Sequence, residues 1–352
     1  MTQRTLLLAG LAVPLFAALA VAENSPAWVA QAEAKKQHGD FAGAIADYTA
    51  AITANPKSAP AYLGRASILG LEGNYAAAIA DDTKAIAFDP KNAVAYSNRG
   101  NARMMQGDLN GAIADYTQAV KLDPQHVRAF INRGNIKNLQ RKYRAAVEDY
   151  SQAIALDPKS AVAFYDRAGV KRNLGDYTGA QADYSEAISL NPVDAPAYIN
   201  RAVLEMAQKN WSVATADLNK CLSLLPDARE AYPRIYLWII ATKQGSIEKP
   251  TADLARALAA APDAFSGLWG WQIAKFLTAK MDEKTFLAMA ASAQAKKDKG
   301  QKVQAYYYIG IKSALAGDKA GAAKYFHQCV ESGTPSLHEV TLARAELKGN
   351  SL

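Results

Sequence analysis

The hydrophobic and polar positions of residues 25–228 repeat as a block every 34 residues. Pro56, Pro90, Pro124, Pro158, Pro192 and Pro226 mark the period. At constant offsets before them stand an aromatic residue (Trp28, Tyr62, Tyr96, Phe130, Phe164, Tyr198), an alanine (Ala44, Ala78, Ala112, Ala146, Ala180, Ala214) and an aspartate (Asp47, Asp81, Asp115, Asp149, Asp183, Asp217). Each block predicts a first helix beginning near the aromatic, a turn at Gly39, Gly73, Gly107 or Gly175, a second helix, and a proline that stops it. Lys142 and Asn210 stand near the turn in the two units that lack the glycine. A fixed period of this length with helix formers between the prolines means stacked helical hairpins around one continuous core.

Beyond Pro226 the period fades, so residues 229–302 read as an irregular helical continuation. Ala231 to Ala241 predicts a first helix, and Thr251 to Ala261 a second, with Thr251 as N-cap. Phe265 to Leu277 forms an aromatic segment containing Trp269-Gly270-Trp271, and a helix is expected from Asp282 to Ala295. Residues 303–352 recover the repeat, with Tyr306, Gly310, Gly317, Ala322 and Phe326 at its offsets. Leu337, Val340, Ala343 and Leu347 then form an apolar stripe at helical spacing. That last helix is expected to cap the exposed end of the stack.

The pattern aromatic, Gly/Ala, Ala-x3-Tyr and Pro resembles the tetratricopeptide repeat. Tyr96-Ser97-Asn98-Arg99-Gly100 and Ala112-Ile113-Ala114-Asp115-Tyr116 carry the resemblance, which covers six units in residues 23–228. It implies an all-α tetratricopeptide-repeat (TPR) solenoid, a right-handed superhelix of antiparallel helix pairs whose first helices line a groove. Residues 230–347, with the Trp-Gly-Trp segment and Tyr306-Tyr307-Tyr308-Ile309-Gly310, resemble the NlpI family of bacterial envelope lipoproteins. That resemblance implies a periplasmic adaptor that forms a homodimer and brings an envelope protease to peptidoglycan hydrolases.

Charge changes this picture little. Lys and Arg exceed Asp and Glu by 40 to 33, with the surplus after Pro226 (17 against 12 in residues 227–352). A surplus spread over many helices gives no stripe for nucleic acid. Residues 1–22 read as a cleavable export signal: Arg4, an apolar run from Leu6 to Leu19 broken by Pro14, then Ala20-Val21-Ala22. With no cysteine near residue 23, a lipoprotein is not expected. Cys221 and Cys329 fall where other units have alanine, which predicts small buried side chains rather than a disulfide. His38, His126, His327 and His338 lack metal-ligand spacing. Phosphate-loop and nucleophile-elbow motifs are absent, so neither a cofactor nor catalysis is expected.

Arg65, Arg99, Arg133, Arg167 and Arg201 keep the period of the aspartates, which marks both as scaffold. An aspartate lies either 16 residues after each arginine or 18 before it, and spacing alone leaves both pairings open. Polar residues outside the repeat consensus are better candidates for binding. Asn98, Asn101, Arg128, Asn132, Asn135, Asn138, Asp166, Arg172 and Asn200 are placed on the groove side of the first helices. Asparagine both donates and accepts, so such a row suits an extended or helical segment of a protein partner. A second candidate surface comprises Trp269, Trp271, Lys296, Lys297 and Lys299, for self-association or for peptidoglycan or another polysaccharide; at its helical spacing the aromatic part reads first as core.

Overall fold

The computed structural model describes residues 25–225, 230–262, 264, 267–292, 300–333 and 335–349. The export-signal segment, Pro226 and the lysines 296, 297 and 299 (Lys296, Lys297, Lys299) lie outside the described residues. The chain divides into two compact units, Met1–Asp157 and Pro158–Leu352. Every described regular element is a helix, 19 in all.

The first unit holds four hairpins: α1 (Ser25–Gln37) with α2 (Phe41–Ala54), α3 (Ala59–Leu71) with α4 (Tyr75–Phe88), α5 (Ala93–Met105) with α6 (Leu109–Leu122), and α7 (Val127–Leu139) with α8 (Tyr143–Leu156). In the third and fourth hairpins a tyrosine of the second helix fills the space over a glycine of the first. A Cβ at Gly100 would stand 2.9 Å from the Tyr116 ring, and one at Gly134 equally close to Tyr150. The turns need a left-handed residue, and Gly39, Gly73 and Gly107 take φ between 79° and 85°. In the fourth hairpin this role falls to Arg141 (φ 59°) rather than to Lys142, which instead occupies the N-cap position of α8 without a side-chain cap.

The second unit continues with α9 (Ala161–Leu174) and α10 (Tyr177–Leu190), then α11 (Ala195–Ala207) and α12 (Trp211–Leu224). Lys209, not Asn210, carries the left-handed turn of the latter pair (φ 63°). There follow α13 (Ala231–Lys243), α14 (Glu248–Ala260), α15 (Trp269–Leu277), α16 (Glu283–Ala290), α17 (Gly300–Leu315), α18 (Lys319–Ser332) and α19 (His338–Lys348). Thr251 is not an N-cap. It lies in the first turn of α14, where its hydroxyl donates to Ile247 O and accepts from Trp238 Nε1 at 3.0 Å. The largest buried cluster runs from α11 to α19.

Both scaffold ladders pair within their own repeat. Asp81, Asp115, Asp149, Asp183 and Asp217 each accept from the Nε and Nη2 of the arginine 16 residues earlier, at 2.6 to 3.0 Å. Fork geometry of this kind makes a pair both strong and directional. The 18-residue pairing is not formed, and Asp47, left over at the start, binds Lys35 at 2.7 Å. A second cation escapes notice in the sequence: Arg103, Lys137 and Lys171 approach Asp115, Asp149 and Asp183 at 2.6 to 2.8 Å. The arginines also reach the preceding hairpin, where Thr49, Thr83, Thr117 and Ser185 accept from Arg65, Arg99, Arg133 and Arg201. Removing one of these buried aspartates would strand its cations, at a cost of about 3–5 kcal/mol.

Candidate functional site

In the first unit, helical spacing places Val94, Asn98, Asn101 and Met105 on one face of α5, and Arg128, Asn132, Asn135 and Leu139 on the same face of α7. The amides are half-buried and Arg128 is exposed. The apolar members stay in water, with Val94 at 50%, Met105 at 57% and Leu139 at 69% exposure; Leu71 at the end of α3 reaches 70%. Asn138 stands half-buried near the end of α7.

The asparagines are less free than their sequence pattern suggests. Asn101 Oδ1 accepts from the Tyr116 hydroxyl at 2.6 Å and from Asn132 Nδ2 at 2.8 Å, which uses both of its lone pairs. Asn135 Oδ1 accepts from the Tyr150 hydroxyl at 2.5 Å. Burial raises the Tyr116 pKa, so the phenol remains a donor. The row therefore belongs partly to the scaffold, and Asn101 keeps only its N–H donors for a ligand.

In the second unit the corresponding residues are covered. Arg172 and Asn200 are buried, Arg172 Nη1 donating to Asn200 Oδ1 at 2.7 Å and Nη2 donating to Ser336 O at 2.9 Å. His338 Nε2 meets the same Asn200 oxygen at 2.9 Å, while Asn200 Nδ2 donates to the Tyr165 hydroxyl and to Pro196 O. What covers them is α19. It packs on α11, α17 and α18, and Lys243 of α13 holds Glu346 at 2.8 Å. The expected cap over the end of the stack is thus a helix folded back along the first helices of its own unit. Asp166 remains half-buried on α9, its pKa pushed up to about 6 by burial.

A polar hub forms where α19 begins. The buried Glu339 carboxyl accepts from the hydroxyls of Tyr308 at 2.9 Å and Tyr236 at 3.2 Å, and from Gln304 Nε2 at 3.1 Å. Its pKa is raised by burial, whereas that of His338, buried beside Arg172, falls to about 3. At neutral pH the imidazole is uncharged, and Nε2–H is the donor to Asn200. A cavity of about 350 Å³ adjoins this hub, lined in part by Pro196, Ile199, Tyr232 and Leu337. Sequence reading missed the hub because His338 and Glu339 sit beside an ordinary apolar stripe.

The tryptophan part of the second candidate surface does not hold as a surface, while its lysines lie outside the described residues. Trp271 is buried, and the half-buried Trp269 stacks on Phe286 at 5.1 Å, itself stacked on Phe276 at 4.4 Å. These aromatics are core because helical spacing turns them inward, so they offer no platform for sugar rings. Cys221 and Cys329 are buried and free. Among the described residues, no group of three or more His, Cys, Asp or Glu is placed to hold a metal ion.

Comparison with known proteins agrees with this architecture. Sequence models of the tetratricopeptide repeat match residues 93–126 and 127–160, and residues 29–93 and 165–229, together more than half of the chain. No curated protein matches it. Among solved structures, the fold is similar to that of PilF from Pseudomonas aeruginosa, with TM-score 0.53 and 21% identity over 58% of this chain and 93% of that one. It is also similar to a tetratricopeptide repeat protein from Parabacteroides merdae, with TM-score 0.50 and 21% identity over 73% and 98% of the two chains. YrrB, described as having an unusual peptide-binding site, aligns with TM-score 0.46 and 22% identity over 51% and 93%. With its 34-residue hairpins, its Gly-Tyr packing and these matches, the chain belongs to the tetratricopeptide repeat family.

Proposed function

We propose that this protein is a non-catalytic adaptor that binds protein partners through the α5–α7 face of its first unit. Tetratricopeptide repeats mediate protein–protein interactions, and one observation points to this face. It keeps Val94, Met105 and Leu139 in water beside half-buried amides, whereas in the second unit the equivalent face of α11 is covered by the chain's own α19. Exposed apolar side chains rimmed by polar groups are the usual mark of an interaction surface.

We place the adaptor in the bacterial envelope, on the leader-like pattern of residues 1–22 and on the resemblance of residues 230–347 to the NlpI lipoproteins. An envelope protease or a peptidoglycan hydrolase is the partner class this reading favours, with self-association as a further role. Export predicts a mature chain beginning at Glu23, and N-terminal sequencing of the purified protein reads this directly.

Site-specific photo-crosslinking in cells tests the binding face. A crosslinker at residue 105 or 139 should capture a partner, and one at the exposed Lys121 of α6 should not. Equal capture at all three positions would remove the face from consideration.

A further inference from the structure

The reading above leaves open what form of partner the α5–α7 face accepts, and the inference that follows rests on that reading. An extended peptide must satisfy its backbone N–H and C=O groups at the binding surface, because it has no internal partners for them. Here part of the acceptor capacity is already committed: both lone pairs of Asn101 Oδ1 to Tyr116 and Asn132, and one of Asn135 Oδ1 to Tyr150. A helix satisfies its backbone internally and asks only for apolar contact and side-chain partners.

The charge of the face is one-sided. Helices α3, α5 and α7 contain no aspartate or glutamate. Of their cations, Arg65, Arg99, Arg103, Arg133 and Lys137 are bound to scaffold aspartates. Arg128 is exposed at the start of α7, on the face shared with Asn132, Asn135 and Leu139. Together with the remaining amide N–H groups, it offers donors to carboxylates.

The second unit shows how such a face is filled. On α11, helix α19 runs lengthwise and in the same direction, His338 lying at Asn200 and Glu346 near Ala207. It brings apolar residues, Val340 and Ala343, flanked by two glutamates, Glu339 and Glu346, that accept from Tyr236, Tyr308, Gln304 and Lys243. On α5 the exposed Val94 and Met105 are 11 residues apart, about 16 Å along the axis at 1.5 Å per residue. α19 has 11 residues, the length needed to span them.

We propose that the α5–α7 face binds an acidic amphipathic helix of a partner protein, laid lengthwise along the first helices as α19 lies along α11. The partner helix places apolar residues at i, i+4, i+7 and i+11 against Val94, Met105 and Leu139, with Glu or Asp between them facing Arg128 and the asparagines.

A library of displayed 16-residue peptides selected on the full chain tests this, with counter-selection on the Met105→Asp/Leu139→Asp variant. Both positions are more than half exposed, so that variant should fold, and its circular dichroism melt checks it. The expected winners carry acidic residues and apolar residues at helical spacing. Synthesised, they become helical on binding, and they lose at least tenfold in affinity on the double variant and on Arg128→Glu. Winners that depend on Met105 and Leu139 but show alternating or aperiodic apolar residues would overturn the helix inference and leave the binding face standing. If no peptide is enriched, or if binding is indifferent to these substitutions, both the helix and the face are overturned.

Discussion

Asp82 departs from its repeat more sharply than any other buried side chain of the first unit. Where the corresponding positions hold Tyr48, Tyr116, Tyr150 and Tyr184, it places a carboxyl that is 1% exposed, with Oδ1 lacking a hydrogen-bond partner. Burial drives its pKa up to about 8. The folded protein therefore retains a proton that the unfolded chain releases near pH 4, and the stabilisation this gives at low pH is lost as pH rises through 8. Asp82→Asn should raise stability at pH 8, with the gain shrinking by up to about 1.4 kcal/mol per pH unit toward pH 4. Urea melts of both proteins between pH 4 and 8 read the difference, and parallel curves would refute it. The ladder aspartates show the opposite economy of charge, each carboxyl held by an arginine fork. The sequence displayed their period plainly, yet two pairings shared that period, and only contact distances separated them.

At the scale of the helices, the hairpin α7–α8 breaks two local rules at once, as α11–α12 also does with Lys209 and the uncapped Asn210. Its left-handed turn residue is Arg141 and its N-cap position is Lys142, where other hairpins pair a glycine with a capping Asp or Asn: Asp40, Asn74, Asp108 and Asp176 all accept from a first-turn N–H. A non-glycine residue in this region and an absent cap cost about 1 kcal/mol each. Arg141→Gly combined with Lys142→Asp should stabilise the protein by about 1–2 kcal/mol, with the slowing of hydrogen exchange largest in residues 127–156. Unchanged exchange there would show that the neighbouring hairpins already hold the turn. Helix boundaries were legible because proline, glycine and capping residues act locally. The misplacement of the turn by one residue, at Lys142 and Asn210 instead of Arg141 and Lys209, came from the lack of any side-chain signal when glycine is missing.

For the molecule as a whole, α19 matters most. Val340 and Ala343 are fully buried and Leu342 nearly so, and exposing one such large side chain costs about 1.5–3 kcal/mol. Against a total stability of roughly 5–15 kcal/mol, this makes α19 a fixed part of the second unit and not a lid. Glu339→Ala would leave the donors of Tyr308 and Gln304 without their acceptor, while the Tyr236 hydroxyl keeps His338 Nδ1 at 3.1 Å, and stability should fall by about 2–4 kcal/mol. Glu339→Gln, which still offers a carbonyl, should lose clearly less. Hydrogen exchange should quicken in residues 231–348 and stay unchanged in residues 41–122; a uniform rise across the chain would contradict the placement of the hub within one unit.

The sequence by itself determined the hairpins, their 34-residue period, the buried cysteines and the membership of Arg and Asp in the scaffold. Each of these rests on short-range geometry repeated many times, so that one unit predicts the next. Only the tertiary structure decided which candidate binding residues stay accessible. Asn98, Asn101, Arg128, Asn132 and Asn135 keep an open side in the first unit, while Arg172 and Asn200, drawn from the same pattern, lie beneath α19. The difference arises from a helix more than 130 residues later in the chain. Its docking depends on the complementarity of His338 and Glu339 to groups gathered from α9, α11, α13 and α17, and no local periodicity encodes that.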